Sequence, residues 1–189
     1  MSLLELIAAA DERGLAASAV ACLDRCLPQP ADGSDPEPLR PLWAGCADGS
    51  VWPERLAEVC AALDAAADTE GAAPQIRKLL GDAPVDLAAP ELREWADTCS
   101  LLALEVHLGQ DATPPAGDEA VRRCREAGPE GAGPLLAGEV RRQIQILEML
   151  AETADAARAG AGLRQVLDVS TEGQRILRAA ASRRARGRG

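Results

Sequence analysis

The most regular pattern in the chain lies in residues 90–109, which read PELREWADTCSLLALEVHLG. Apolar side chains recur there at alternating intervals of three and four residues: Leu92, Trp95, Cys99, Leu102 and Val106. This spacing keeps them on one helical face and is typical of the core-facing seam of a helical bundle. Pro90 is tolerated at a helix start and Gly109 at its end. The stretch therefore predicts one long helix of a bundle.

The composition of the whole chain favours an all-α fold. Of 189 residues, 39 are Ala and 25 are Leu, whereas Val and Ile together number 14, and Tyr and Phe are absent. Ala and Leu favour helices, and the residues that favour strands are scarce. The length suits one domain with its own core. We expect a single-domain, irregular bundle of about six to eight helices with Pro/Gly-rich connecting loops.

Weaker periodic segments place the remaining helices. Apolar spacing predicts helices at residues 2–13, 15–27, 53–69, 74–81, 117–127, 134–159 and 171–182. Gly14 is expected to interrupt or bend the first pair, and Gly160 and Gly162 to end the longest helix. The 134–159 helix carries Ile146 and Met149 on a second apolar face. Such a helix is typically central or packs against a second chain.

Residues 28–52 are predicted to be a Pro/Gly-rich loop within the domain. Five prolines occur at positions 28, 30, 36, 38 and 41, and they favour an extended arm because proline cannot propagate a helix. Residues 42–52, which read LWAGCADGSVW, show no helical period.

Charge divides the chain into two parts. Residues 1–174 carry 14 basic and 30 acidic groups, a net charge of −16, whereas residues 175–189 carry six Arg and no acid. We predict a bundle domain over 1–174, followed by a basic helix end and a disordered Arg-rich tail. An acidic body repels phosphate groups, so nucleic-acid contact is expected only through residues 175–189. Nineteen of the 20 basic residues are Arg, a usage typical of a high-GC bacterium.

The sequence carries no pattern typical of export or of membrane insertion. The first residues, MSLLELIAAADERG, have no basic region before the apolar run, and Glu5 interrupts that run. A spanning helix needs about 18 consecutive apolar residues, and no stretch of the chain comes near that length. We predict a cytoplasmic protein that does not bind a membrane.

Cysteine and histidine positions favour structural roles. Five cysteines fall on the apolar faces of their helices, where cysteine packs as a small hydrophobe: Cys22, Cys26, Cys60, Cys99 and Cys124. The chain has no Cys-x-x-Cys pair, so we predict no metal or cofactor, with a shared metal, a disulfide or a redox role as alternatives. His107 is expected to be exposed or to cap its helix, with a general base or metal ligand as alternatives.

The best candidate for a binding site is the two-tryptophan segment, residues 40–55. Trp43 and Trp52 flank a glycine-rich turn, and Arg40 and Arg55 lie just outside them. Trp and Arg are enriched in interface hot spots. Cys46 is the one cysteine expected to be exposed. The alternative is that both indoles anchor the loop to the bundle.

Three functional hypotheses remain open. The first is a non-enzymatic module that binds another protein, or a second copy of itself, through the two-tryptophan segment or the outer face of the 134–159 helix. The second is a small-molecule-binding protein or enzyme, which needs a pocket of about 300 Å³ or more between its helices. The third is a DNA-associated regulator that uses the arginine-rich tail.

Overall fold

The computed structural model describes residues 1–27, 37–66, 71–88, 90–111, 117–154 and 159–187. Within these ranges the chain is all-helical, which confirms the predicted fold class, and its nine α-helices slightly exceed the expected six to eight. The helices are α1 Leu3–Ala9, α2 Glu12–Cys26, α3 Arg40–Ala47, α4 Trp52–Ala66, α5 Ala73–Gly81, α6 Glu91–Gln110, α7 Gly117–Ala127, α8 Pro134–Glu152 and α9 Ala159–Arg186.

Helix α2 lies at the centre of the molecule. Twelve of its 15 residues are buried, and it packs against α3, α6, α8 and α9. Its sequence is rich in small residues, which allow neighbouring helices to approach it on every side. Helices α1 and α7 pack on α6 and α8, and α4 packs between α3 and α5.

The predicted seam of α6 is correct in its first half and displaced in its second. Leu92, Trp95 and Cys99 are buried, but Leu102 and Val106 are only half-buried. The innermost line continues instead through three other residues: Ser100, Ala103 and His107. A straight helix has a period of 3.6 residues, so a strict 3,4 pattern drifts away from the buried face.

Helix α8 is central, and its second apolar face packs inside the chain. It contacts α1, α2, α6, α7 and α9. Ile146 is buried, and Met149 is half-buried against the core. Since these residues are already covered, α8 offers little apolar surface to a second copy of the chain.

The break between the first two helices lies at Asp11 and not at Gly14. The Asp11 carboxylate accepts a hydrogen bond from the Gly14 amide at 2.7 Å and so caps α2. A side chain at position 14 would crowd that oxygen, because its Cβ would lie 2.9 Å away. Gly14 therefore belongs to the first turn of α2.

The prediction that residues 42–52 lack helical structure is wrong. Helix α3 and a 3₁₀ turn at Gly49–Val51 form there. Leu39, Leu42, Trp43 and Cys46 are buried, and their spacing of three, four and seven residues defines one helical face. Pro41 lies in the first turn of α3, where proline does not disturb a helix.

The boundary between the last two helices also differs from the prediction. Helix α8 ends at Glu152, and the Thr153 hydroxyl donates to the Met149 carbonyl at 2.7 Å. Gly160 and Gly162 lie in the first turn of α9 instead of ending α8. Helix α9 begins 12 residues before the predicted 171–182 helix and continues to Arg186, so it includes much of the segment predicted to be a disordered Arg-rich tail.

Helices α5, α6 and α7 lie within a residue or two of their predicted positions. Several predicted features lie outside the described residues: Pro28, Pro30, Pro36, Pro114, Pro115, Arg188 and the ends of the 53–69 and 134–159 helices.

Replacing Gly45 with Ala is expected to destabilise the fold. A Cβ at this position would lie 3.0 Å from Trp52 Cε3 and 3.1 Å from Trp52 Cα. The backbone and the buried indole of Trp52 cannot move aside without disturbing the core. We therefore expect the free energy of unfolding, measured in urea, to fall by about 1–3 kcal/mol. Gly109→Ala is the control, because nothing lies within 4 Å of its Cβ. A Gly45→Ala variant as stable as the Gly109→Ala variant would contradict the close packing of α3 on Trp52.

Candidate functional site

The two-tryptophan segment is an anchor of the core. Trp52 is fully buried, and its indole N–H donates to the Pro84 carbonyl at 2.9 Å. Its ring meets that of Trp95 edge-on, with centroids 6.0 Å apart. Trp95 in turn donates to the Leu79 carbonyl at 2.7 Å. Trp43 is 7% exposed. These contacts hold α4, α5 and α6 together. They agree with the alternative in which the indoles anchor this segment to the bundle.

The other three candidates of this segment do not share a surface with the indoles. Cys46 is buried, so the prediction that it is exposed is wrong. Arg40 is largely exposed and lies 3.9 Å from Glu37, and Arg55 pairs with Glu58 at 2.8 Å. The five predicted site residues therefore do not form one exposed binding surface.

The cysteines are free thiols packed in or against the core. Four of the five predicted core cysteines are buried, and Cys60 is half-buried. Burial raises the pKa of Cys22 and of Cys46 to about 12. Arg25 Nη2 lies 3.5 Å from Cys22 Sγ, but its charge does not overcome the cost of burying a thiolate.

An ion pair lies in the interior where α2 and α8 pack. The side chains of Arg25 and Glu139 have no exposed surface. Arg25 donates through Nη2 to Glu139 Oε1 at 2.5 Å and through Nε to Oε2 at 3.1 Å. Such two-bond guanidinium–carboxylate contacts are strong and geometrically specific. The half-buried Arg142 adds a third guanidinium contact, with Nε 3.4 Å from Oε2.

Three further polar side chains complete what we term the buried charge cluster: Ser100, His107 and Gln143. Gln143 donates to Glu139 Oε1 at 3.0 Å and accepts from the Ser100 hydroxyl at 2.6 Å. His107 is fully buried, so the prediction of an exposed or capping histidine is wrong. We assign the proton to Nδ1, which lies 2.7 Å from the Ala103 carbonyl; Nε2 lies 3.5 Å from Glu139 Oε2.

The cluster holds one ionised carboxylate at neutral pH. Burial raises the pKa of Glu139, but Arg25, His107 and hydrogen bonds outweigh it and hold the pKa at about 2. Burial lowers the pKa of His107 below its ordinary value, against the opposing charge of Glu139. Near pH 7 the imidazole is therefore neutral, and the Arg25–Glu139 pair carries the charge of this part of the core.

The cavity beside the cluster is very small. It is lined by Arg25, Ser100, Gln143, Ser18, Cys22 and four apolar residues, and its volume is about 10 Å³. That volume is enough for one water molecule, whereas ligand pockets measure about 300–1,000 Å³. The inward-facing carboxylate therefore does not open onto space for an organic substrate. Its observed contacts hold three helices in register.

A larger concavity lies at the surface, between α1 and the start of α6. It is an open groove of about 460 Å³ lined by Leu4, Ile7, Ala8, Pro90, Arg93, Glu94 and Asp97. Asp97 already forms an ion pair with Arg125 of α7. The groove exceeds the 300 Å³ expected of a ligand pocket, but it is open to solvent and its charged residues Arg93 and Glu94 are exposed.

A second buried carboxyl group joins α2 to α9. Asp24 is 8% exposed, and the Ser170 hydroxyl donates to its Oδ2 at 3.2 Å. Gln174 donates to the Asp24 backbone carbonyl at 2.6 Å. Burial raises the pKa of Asp24 to about 6, although the Ser170 hydrogen bond opposes this.

Helix α9 lies directly over the buried charge cluster. A Cβ at Gly173 would lie 2.5 Å from Arg25 Cδ and 3.0 Å from Arg142 Nε. Gly173, Leu177 and Ala180 face the core. The helix is therefore held against the bundle well beyond residue 174, where the sequence predicts the domain to end.

The opposite side of α9 carries what we term the arginine face: Arg175, Arg178, Arg183 and Arg186. Arg175, Arg183 and Arg186 are exposed, and Arg178 is half-buried. Among the described residues, no carboxylate lies within 4.0 Å of these four guanidinium groups. Arg184 points the other way and donates to the Gly109 carbonyl at the end of α6.

No group of three His, Cys, Asp or Glu side chains suited to a metal ion occurs among the described residues. Over the same residues, no helix combines the length and apolarity needed to cross a membrane. Comparison of the chain with protein families, with characterised proteins and with solved structures finds no match.

The buried charge cluster was not predicted, although the sequence carries a signal for it. Glu139 and Gln143 continue the 3,4 spacing that runs from Leu136 to Ile146 and Leu150. Polar residues in register with an apolar seam mark a polar site in the core. The side chains on α2 and α6 that contact Glu139 and Gln143 cannot be identified from the sequence, because spacing within one helix does not show which residues of other helices lie beside it.

Replacing Glu139 with Leu is expected to cost about 3–5 kcal/mol, because it leaves the Arg25 guanidinium buried without its carboxylate. The double variant Arg25→Met/Glu139→Leu is expected to recover most of this loss, since neither charge remains alone. Urea unfolding of the single and double variants measures the coupling. The matched exposed pair, Arg55→Met and Glu58→Leu, is expected to couple by less than about 1 kcal/mol. Equal coupling energies in the two pairs would show that burial does not strengthen the dependence of Arg25 on Glu139.

Replacing Asp24 with Asn is expected to stabilise the protein in a pH-dependent way. The folded-state pKa of about 6 lies above the ordinary 3.8, so folding favours the protonated form and the wild type loses stability as pH rises from 4 through 6. Asn has no charge to bury and still accepts from Ser170. Above pH 6 we expect it to be more stable by up to about 3 kcal/mol.

Urea unfolding of both proteins at pH 4.5 and pH 7.5 checks this, because other titrating groups cancel in the difference. Asp168→Asn on the exposed side of α9 is the control. If Asp24→Asn and the wild type differed by the same free energy of unfolding at both pH values, the role of Asp24 would be refuted.

Proposed function

We propose that this chain is a non-enzymatic helical module that binds another protein, and that the binding surface is the solvent side of α9. The observation that carries this proposal is the arginine face, four guanidinium groups without a carboxylate partner among the described residues. Arg is enriched in interfaces, where its fixed fork of donors recognises carboxylates.

The contrast with the interior supports this choice. The polar groups that converge in the core contact one another, and the cavity beside them measures about 10 Å³. On the surface, some arginines pair with a carboxylate of their own helix, as Arg55 does with Glu58 on α4 and Arg122 with Glu119 on α7. Arg93 on α6 and several other described arginines also lack such a partner, but the arginine face brings four of these cations together on one side of one helix.

The contact surfaces first expected have less support. Trp43, Trp52 and Cys46 of the two-tryptophan segment are buried, and so is Ile146 on α8. Self-association remains a prediction.

Photo-cross-linking in the producing cell tests the proposal. A benzophenone amino acid at Arg183 is expected to give one dominant protein adduct, and Arg175→Glu with Arg186→Glu in the same chain is expected to abolish it. The same amino acid at Arg93 is the control, since this exposed residue lies 16 positions, or about 24 Å, from the Arg184 contact at Gly109. Equal adducts from both positions, or none from Arg183, would overturn the proposal.

A further inference from the structure

We infer that the arginine face of α9 binds a short acidic segment of a partner protein, about five or six residues long. This inference rests on the proposed protein-binding function and adds the chemistry of the partner. Three features support it: the position of the four arginines on the helix, the length of helix that they occupy and the charges around them.

The four arginines share one side of an ordered helix. At 100° per residue, Arg175, Arg178, Arg183 and Arg186 fall within an arc of about 140°. The core-facing residues of the same turns, Leu177 and Ala180, lie on the other side. Arg178 is held in place by hydrogen bonds to the carbonyl and side chain of Gln174. The helix therefore fixes the backbone positions of all four arginines, and the side chain of Arg178 is already oriented before a partner arrives, which lowers the entropic cost of binding.

The length of the face limits the ligand. Arg175 and Arg186 are 11 residues apart, or about 16 Å along the helix axis. An extended peptide rises about 3.3 Å per residue, so five or six residues span this distance. Glu172 and Asp168 are exposed on the same side of α9, one and two turns before Arg175. A longer polyanion lying along the helix would therefore meet two carboxylates.

The charge around the face favours an acidic peptide over a nucleic acid. The chain before residue 175 has a net charge of −16, and this field repels a duplex that carries a phosphate about every 1.7 Å. A short segment with few charges makes its contacts within the basic region. The C-terminal end of α9 carries a partial negative charge of about half an elementary charge from the helix dipole. This charge is small compared with the positive charge of four guanidinium groups.

Fluorescence anisotropy with rhodamine-labelled hexaglutamate tests the inference, with labelled hexaglutamine and a labelled 20-base-pair DNA duplex as comparisons. The full chain is expected to bind hexaglutamate and not hexaglutamine, and 300 mM salt is expected to weaken binding several-fold relative to 50 mM. Arg175→Gln/Arg178→Gln/Arg183→Gln/Arg186→Gln is expected to weaken it at least tenfold.

The control variant removes four other arginines on α3, α4, α6 and α7: Arg40→Gln/Arg55→Gln/Arg93→Gln/Arg123→Gln. It changes the net charge equally and is expected to keep the affinity, with both variants checked by circular dichroism for an intact fold. Equal loss in both variants, or no hexaglutamate binding, would overturn the inference. Tighter, arginine-dependent binding of the duplex would replace it with nucleic-acid binding. If position 183 cross-links to a protein but the chain does not bind hexaglutamate, the inference of an acidic segment fails while the protein-binding proposal still holds.

Discussion

The buried ion pair between Arg25 and Glu139 constrains how the helices of the bundle pack against one another. Removing two charges from water costs several kcal/mol per ion, and their attraction compensates only when geometry and hydrogen bonding are nearly ideal. Here the geometry comes from separate helices, since α6 supplies Ser100 and His107 while α8 supplies Gln143. A shift of one helix along another would leave a charge or an amide without its partner. The pair therefore favours one register among the many that Ala- and Leu-rich helices permit.

The sequence predicted the positions of the helices better than the contacts between them. The all-α class and α5, α6 and α7 follow from composition and from local spacing, which depend on residues close in the chain. The same spacing failed at α3, where the three prolines at 36, 38 and 41 outweighed the stripe from Leu39 to Cys46. It failed again in α9, where Ser170 and Gly173 interrupt an apolar pattern that Leu163, Val166 and Leu177 otherwise define.

The candidate binding residues were harder to predict, for a physical reason. Trp and Arg are typical of interfaces, but an indole stabilises a core equally well when a carbonyl is within reach of its N–H. Trp52 has such a carbonyl at Pro84, which is 32 residues away in the chain and cannot be located by spacing. The basic end of the chain was visible as six arginines. The sequence does not show which of them point to solvent, or that Arg184 points toward the bundle, because this depends on how α9 packs.

The interior and the surface of this molecule are linked through α9. One side of the helix covers Arg25 and Arg142, and the other presents four cations to solvent. At Gly173 the helix backbone approaches a guanidinium stem so closely that even a methyl group would meet it. Every amino acid except glycine carries at least that carbon. Any other residue at this position therefore forces the helix outward or displaces the arginines beneath it, so this packing depends on the absence of a single side-chain carbon.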